Sequence, residues 1–223
     1  MREVVLDTET TGLSPEDGDR VVEIGCLELV NHVPTGRTYH SYVNPEIPMP
    51  SAAQDVHGLS DAFLADKPLF AAVVDDFLAF VGADPLVIHN SAFDMGFVNA
   101  ELRRLGRPLL PLGQAVDTVS MARQRFPGAP ASLDALCRRF GIDNSSRTLH
   151  GALLDAQLLA EVYLELRGGR QPDLVLRTGK AKPGAAAVSE RVARAPRSFA
   201  PTEEELAAHA AFVATLRDPI WNR

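Results

Sequence analysis

The chain opens on three apolar β-forming residues, Val4-Val5-Leu6, that run directly into the acidic, threonine-rich stretch Asp7-Thr8-Glu9-Thr10-Thr11-Gly12. That switch predicts a buried strand that surfaces at its end. Val21 to Val30 alternates well enough for a second strand and Arg37 to Val43 for a third, with Pro34-Thr35-Gly36 as the turn between them. Strands on such short links predict an antiparallel meander. Asn44 to Ser51 carries three prolines and reads as a loop, and Val56-His57-Gly58 falls in the polar stretch after it. Leu69, Val73, Phe77 and Val81 then mark one face of a helix, with Pro68 near its start and Gly82 just past its end.

Pro85-Leu86-Val87-Ile88 reads as a short buried strand running into His89-Asn90-Ser91-Ala92-Phe93-Asp94. The next helix has Phe97, Val98, Leu102 and Leu105 as its stripe and stops at Gly106. Asp117 would cap another helix, a further one follows Ser132 and ends at Gly141, and the last covers Gly151 to Arg167, closing at Gly168-Gly169. Strands first, then a strand between helices, predict an α/β fold with a mixed sheet flanked by helices.

Beyond Gly169 the pattern dissolves. Arg177 to Arg197 holds six basic residues and one acid with no periodic apolar face, the composition of a flexible linker. Thr202-Glu203-Glu204-Glu205 is a capping box opening a final helix, with Leu206, Ala210, Val213 and Leu216 on one face. Pro219 would end it and leave Ile220 and Trp221 exposed. A lone helix of this length needs a surface on which to bury its stripe. The expected organisation is a domain over 1–169, a linker over 170–201 and a helical tail over 202–223.

Composition narrows the class. At 223 residues and 46% hydrophobic content the chain supports one core of ordinary size plus an appendage. No apolar run approaches the length of a bilayer crossing and no signal-peptide pattern opens the chain, so no membrane association is expected. Cys26 and Cys137 sit in apolar segments far apart and read as core residues of a reduced, cytoplasmic protein. The net charge of −7 argues against a protein that coats duplex nucleic acid, while a site gripping only a strand end through metal ions escapes that limit.

The acids supply the chemistry. Strand side chains alternate, so Asp7 and Glu9 point to the same side. Adjacent carboxylates at the end of a core strand repel each other and lose solvation, which is costly unless a cation sits between them. Oxygen ligands suit magnesium or manganese rather than zinc. Alone, the pair would more readily be read as capping a turn into solvent. Asp94 is expected at a strand end like Asp7, with Phe93 beside it as an apolar wall. Asp155 falls on the same helical face as Leu158 and Leu159, a core-facing acid that calls for a cationic partner. His150, five residues earlier, cannot share that inward face on one regular helix. It is therefore placed at or before the helix start, as a candidate general base. Asp7, Glu9, Asp94 and Asp155 are the inventory of a two-metal phosphoryl-transfer centre. Asp117 reads as a helix cap, His89 as structural, and Asn90 as a turn residue or a group orienting Asp94.

The segments Asp7 to Gly12, His89 to Asp94, and His150 with Asp155 five residues on, resemble in order and separation the three motifs of the DEDDh family of 3′–5′ exonucleases. The resemblance covers about the first three quarters of the chain. It implies a ribonuclease-H-like fold, two Mg2+ or Mn2+ ions, and release of nucleoside 5′-monophosphates from a 3′ end. By the same likeness Asp7, Glu9 and Asp155 hold one ion, Asp7 and Asp94 hold the other, and His150 deprotonates the attacking water. Thr8, Thr10, Leu13, Val56, His57 and Phe93 would contact the terminal nucleotide, although His57 also reads as a plain loop residue.

Gln171-Pro172-Asp173-Leu174-Val175-Leu176 resembles the peptide that docks on a bacterial sliding clamp, with Pro172 departing from the usual apolar second residue. The helix from Thr202 with Ile220-Trp221 resembles the tail by which proofreading subunits of bacterial replicative polymerases hold the catalytic (alpha) subunit. Together these imply a proofreading exonuclease working on single-stranded DNA 3′ ends. Two alternatives stand beside it. The metal chemistry does not separate DNA from RNA, so an RNA-trimming exoribonuclease fits the same motifs. The tail also suits a subunit whose main duty is to bridge clamp and polymerase.

Overall fold

A computed structural model describes residues 1–145, 147, 149–169 and 200–217. The clamp-like peptide 171–176, most of the linker, and Pro219-Ile220-Trp221 lie outside the described residues. The first compact unit holds β1 (Arg2–Thr10), β2 (Val21–Val30), β3 (Val33–Tyr42), α1 (Ser51–His57), α2 (Asp61–Leu64), α3 (Phe70–Val81), β4 (Leu86–Ile88), α4 (Ser91–Arg104), β5 (Ala115–Asp117), α5 (Thr118–Arg125), α6 (Leu133–Phe140) and α7 (Ala152–Leu166). The second holds α8 (Glu203–Ala214).

The strands form one five-stranded sheet in the order β3-β2-β1-β4-β5. β1, β2 and β3 pair antiparallel, whereas β4 joins β1, and β5 joins β4, in parallel. Alternation along β1 divides the core. Val4 and Leu6 face α3 and α4 through Val74, Phe77, Phe97 and Val98. Val5 faces the other way, where Leu136, Leu159 and Val162 of α6 and α7 close over it. Burying one such side chain is worth about 1.5–3 kcal/mol, so these two clusters, more than local helix propensity, decide where the helices lie. A smaller cluster of Val22, Met49, Leu59 and Leu64 seats α1 and α2.

Several elements differ from the sequence reading. The β2–β3 turn is Asn31-His32, both left-handed at φ 53° and 67°, so Pro34-Thr35-Gly36 lies inside β3. An asparagine-led two-residue turn matches strand twist, and the irregular pairing between Leu27 and Leu29 absorbs the extra length. Ser51 opens α1 rather than ending a loop, with Pro50 at its N-cap, and α2 follows Ser60, whose hydroxyl caps Phe63. In α3 the buried stripe is Phe70, Val74, Phe77 and Val81; Leu69 is the exposed N-cap residue and Val73 is only partly covered. Leu105 is exposed past the end of α4, and Met95 takes a buried place. β5, three residues long, is too short to show a period. The stretch after Leu6 stays covered as well: β1 runs on to Thr10, and Thr8, Glu9, Thr10 and Thr11 are buried.

Other expectations agree. Asp117 caps α5, Ser132 caps α6 with left-handed Gly141 at its end, and α7 starts after Gly151. Cys26 and Cys137 are buried and unpaired. In the second unit Thr202 and Glu205 form the capping box of α8, which ends at Ala214, earlier than Pro219.

α7 lies directly on β2. A Cβ at Gly25 would collide with the backbone of Ala152 and Leu153. Gly25→Ala is therefore expected to cost about 1–3 kcal/mol of stability through overpacking and to push the start of α7, with Asp155, away from β1. Urea unfolding checks this: the midpoint should fall.

Candidate active site

Four acids reach one cleft from three elements. Asp7 and Glu9 lie on the α7-facing side of β1, paired with Gly25 and Glu23 of β2. Asp94 sits in the first turn of α4, and Asp155 in the first turn of α7. With Arg147, Asp134, His89 and His150 they line a space of ≈ 310 Å3.

Each acid is placed by a local device. β4 ends at Ile88, which leaves the edge of β1 open beyond it, and there the Thr8 N–H and hydroxyl both donate to Asp94 Oδ1 at 3.0 and 2.8 Å. Asp94 is therefore oriented by Thr8. Asn90 does something else: at φ 68° it makes the tight turn into α4, and its N–H and that of Ser91 donate to Asp117 Oδ1. Asp117 also accepts from Val119 and Ser120, so one carboxylate ties the starts of α4 and α5 together. His89 Nδ1 meets Thr118 Oγ1 at 2.9 Å, and that hydroxyl donates to the Ile88 carbonyl.

His150 stands outside α7, one residue before its N-cap, and so both it and Asp155 face the cleft, with Nδ1 and Oδ2 at 3.3 Å. Its backbone N–H donates to the Val56 carbonyl at 3.1 Å, tying this segment to α1. The cationic partner of Asp155 is Arg147, which grips both carboxylate oxygens at 2.5 and 2.6 Å and also reaches Asp134 at 2.9 Å. Nothing in the sequence signalled Arg147 or Asp134. Neither lies on a periodic stripe with the acids: Asp134 comes from the first turn of α6, and Arg147 from the segment before α7.

The electrostatics are those of crowded anions. Loss of solvation, then repulsion from Asp94, Glu9 and Asp155, holds Asp7 well above the ordinary carboxylate range. Burial followed by Asp155 and Glu23 pushes Glu9 up to about 8. Burial lifts Asp94 to about 7 against the pull of the Thr8 hydrogen bonds. Glu9, His150 and Asp155 offer ligand atoms all within 4.8 Å of one another; Asp7 and Asp94 line the same cleft outside that group. Buried, mutually repelling oxygen donors fit a hard divalent cation.

A second cleft, of ≈ 510 Å3, adjoins the first and shares Thr8, Glu9 and Phe93 with it. Its walls are mainly apolar: Leu13, Pro50, Ala52, Ala53, Val56 and Phe93, with Thr10 and His57. Leu13 stands 85% exposed at the rim, on a loop held by Asp19, which accepts from the Thr11 hydroxyl and the Ser14 N–H. His57 is the last residue of α1, not a loop residue, and is buried. Its Nδ1 accepts from the Leu59 N–H at 3.0 Å, while Nε2 has no hydrogen-bond partner among the described residues. Burial lowers its pKa, which favours the neutral ring, and because Nδ1 accepts, the ring proton sits on Nε2.

The exonuclease family profile (RNase_T) matches residues 4–163. The chain belongs to this exonuclease family. DNA polymerase III subunit epsilon of Rickettsia felis is 50% identical over 222 residues, 97% of each chain. That of Escherichia coli K12 is 44% identical over 221 residues, 94% of this chain and 91% of the relative. Among solved structures, exonuclease X in complex with 5′ overhanging duplex DNA shares 25% identity at a TM-score of 0.60, covering 74% of this chain and 91% of that one. The nuclease domain of 3′hExo, a DEDDh family member bound to rAMP, has the same fold at a TM-score of 0.62 and 20% identity, over 75% and 90% of the two chains. DEDDh exonucleases depend on divalent metal, which the donor set of this cleft accommodates. Among the described residues no helix is long and apolar enough to cross a membrane.

Because Thr8 supplies two hydrogen bonds to Asp94 and only one comes from its hydroxyl, Thr8→Val tests the orientation of that acid. Nuclease activity should drop about 10- to 100-fold, the usual cost of losing a group that orients a ligand. Stability should fall by no more than about 1.5 kcal/mol, so steady-state kinetics and thermal melting together separate the two effects.

Proposed function

We infer that this protein is the proofreading 3′–5′ exonuclease of a bacterial replicative DNA polymerase, removing nucleotides singly from a DNA 3′ end by two-metal hydrolysis. The observation that carries the reading is the adjacency of the acidic and apolar clefts, joined through Thr8, Glu9 and Phe93, in a chain half identical to an epsilon subunit.

Asp7, Glu9 and Asp155 would hold one Mg2+ or Mn2+, and Asp7 with Asp94 the second. Bound there, such ions supply the positive charge that stabilises the attacking and leaving oxygens. The chain does the rest. Phe93, Leu13 and Val56 hold the terminal base and sugar by apolar contact, Thr8 and Thr10 contact the same nucleotide, and the unpartnered His57 Nε2–H donates to it. His150 takes the proton of the water whose oxygen attacks phosphorus. The bond to the preceding 3′ oxygen breaks, and a nucleoside 5′-monophosphate leaves. A mispaired end is favoured because it unpairs more cheaply and so enters a single-strand site more often.

The tail supports a place in a replication assembly. α8 presents Leu206 and Phe212 at 53% and 59% exposure, an apolar surface suited to a partner. In this reading residues 202–223 hold the polymerase alpha subunit, 171–176 hold the sliding clamp, and the protein works in the cytoplasm.

A labelled single strand with Mg2+ should shorten stepwise from its 3′ end, faster as DNA than as matched RNA; a faster RNA reaction would turn the assignment to an exoribonuclease. Changing Asp7 and Glu9 together to Ala should lower the rate on the order of 10³- to 10⁶-fold, and EDTA should stop it. Deleting 170–223 should abolish co-elution with the polymerase and clamp at an unchanged nuclease rate, whereas loss of that rate would place catalytic function in the tail.

A further inference from the structure

The hydrolysis described above makes no use of Arg147, yet this residue is built into the centre of the site. Its side chain is only 8% exposed. Nε and Nη2 donate to the two oxygens of Asp155, Nη1 donates to Asp134 Oδ1, and Nη2 also donates to His150 Nδ1 at 2.7 Å. A guanidinium is always protonated and has no lone pair to offer, so the His150 nitrogen must be the acceptor. Asp134 is itself fixed by the Asn144 amide at 3.0 Å.

These contacts fall on both oxygens of Asp155, an acid read above as a metal ligand, and on the His150 ring read above as the base. Asp155 and His150 are two of the three residues whose donor atoms cluster within 4.8 Å. With Arg147 in place, both Asp155 oxygens and the His150 Nδ1 lone pair face N–H groups. A divalent ion on the Asp155 oxygens would sit against a positive guanidinium, and with both side chains buried, like charges repel strongly there. The contact to His150 also occupies a lone pair with which that ring could accept a proton. Asp134, whose side chain is 45% exposed, gives the guanidinium a partner on the solvent side.

We propose that Arg147 is the resident counter-ion of the site before metal loading: it neutralises Asp155, masks His150, and is displaced when a divalent ion takes the Asp155 oxygens. The proposal rests on the metal-dependent reading above. Arg147 is then a positioning residue and a competitor of the ion. It keeps the acids assembled without metal, and the ion must outbid a two-pronged, charge-assisted pair to enter.

The test uses the full chain. Mn2+ is titrated by the spin-resonance signal of the free ion, and thermal melting is recorded in EDTA and in saturating Mn2+. Arg147→Gln should bind Mn2+ about tenfold tighter than the unaltered protein. It should melt lower in EDTA, and that gap should close in Mn2+. Arg147→Lys keeps the charge but loses the fork, so its affinity should rise by less. A purely structural role predicts the same melting gap in both media and no gain in affinity; either result overturns the proposal. Should Arg147→Gln fail to fold without metal, an Arg147→Lys affinity equal to or weaker than the unaltered protein's overturns it as well. Absence of Mn2+ binding by the unaltered protein would instead sink the metal reading itself, and the proposal with it.

Discussion

Carboxylates withdrawn from water repel one another, and the nuclease unit is arranged around containing that repulsion. Asp7, Glu9, Asp94 and Asp155 lie where burial and mutual charge hold three of them protonated more readily than an ordinary acid. A fold tolerates such a cluster only if the surrounding structure fixes it and a cation balances it. Arg147 supplies positive charge at Asp155. The remaining negative charge is a donor set that a divalent cation fits.

The fixing comes from the sheet and from short polar ties. Pairing of β1 with β2 sets Asp7 and Glu9 on one face, and the absence of a side chain at Gly25 lets α7 come down close enough to deliver Asp155. Thr8, on the opposite face of β1, reaches Asp94 of α4 with backbone and hydroxyl together. Asp117 binds the first turns of α4 and α5 with a single carboxylate. Such ties hold side chains to the small tolerances that hydrolysis demands.

Two neighbouring spaces differ in character. One cleft is acidic, the other largely apolar, and Thr8, Glu9 and Phe93 belong to both. The His150 N–H bond to Val56 connects the segment before α7 to the apolar wall. A nucleotide filling the apolar cleft would therefore press on the same segment that carries His150.

Much of this was legible in the linear chain because it depends on local rules. The Val4-Val5-Leu6 run, the caps at Asp117, Ser132 and Thr202, and the terminating Gly141 each act over a few residues, and each element they predict is present. The alternation that puts Asp7 with Glu9, and the misfit of five residues with a helical turn that puts His150 outside α7, are likewise local geometry. The prolines between Asn44 and Ser51 concealed α1, and β5 is shorter than any period that could announce it. Tertiary structure alone decided that Thr8 and not Asn90 orients Asp94, that Gly25 admits α7, and that Arg147 meets Asp155 and His150. Those contacts join segments whose meeting depends on how the whole sheet and its helices pack, and no pattern within one segment encodes which side chain will lie across from it.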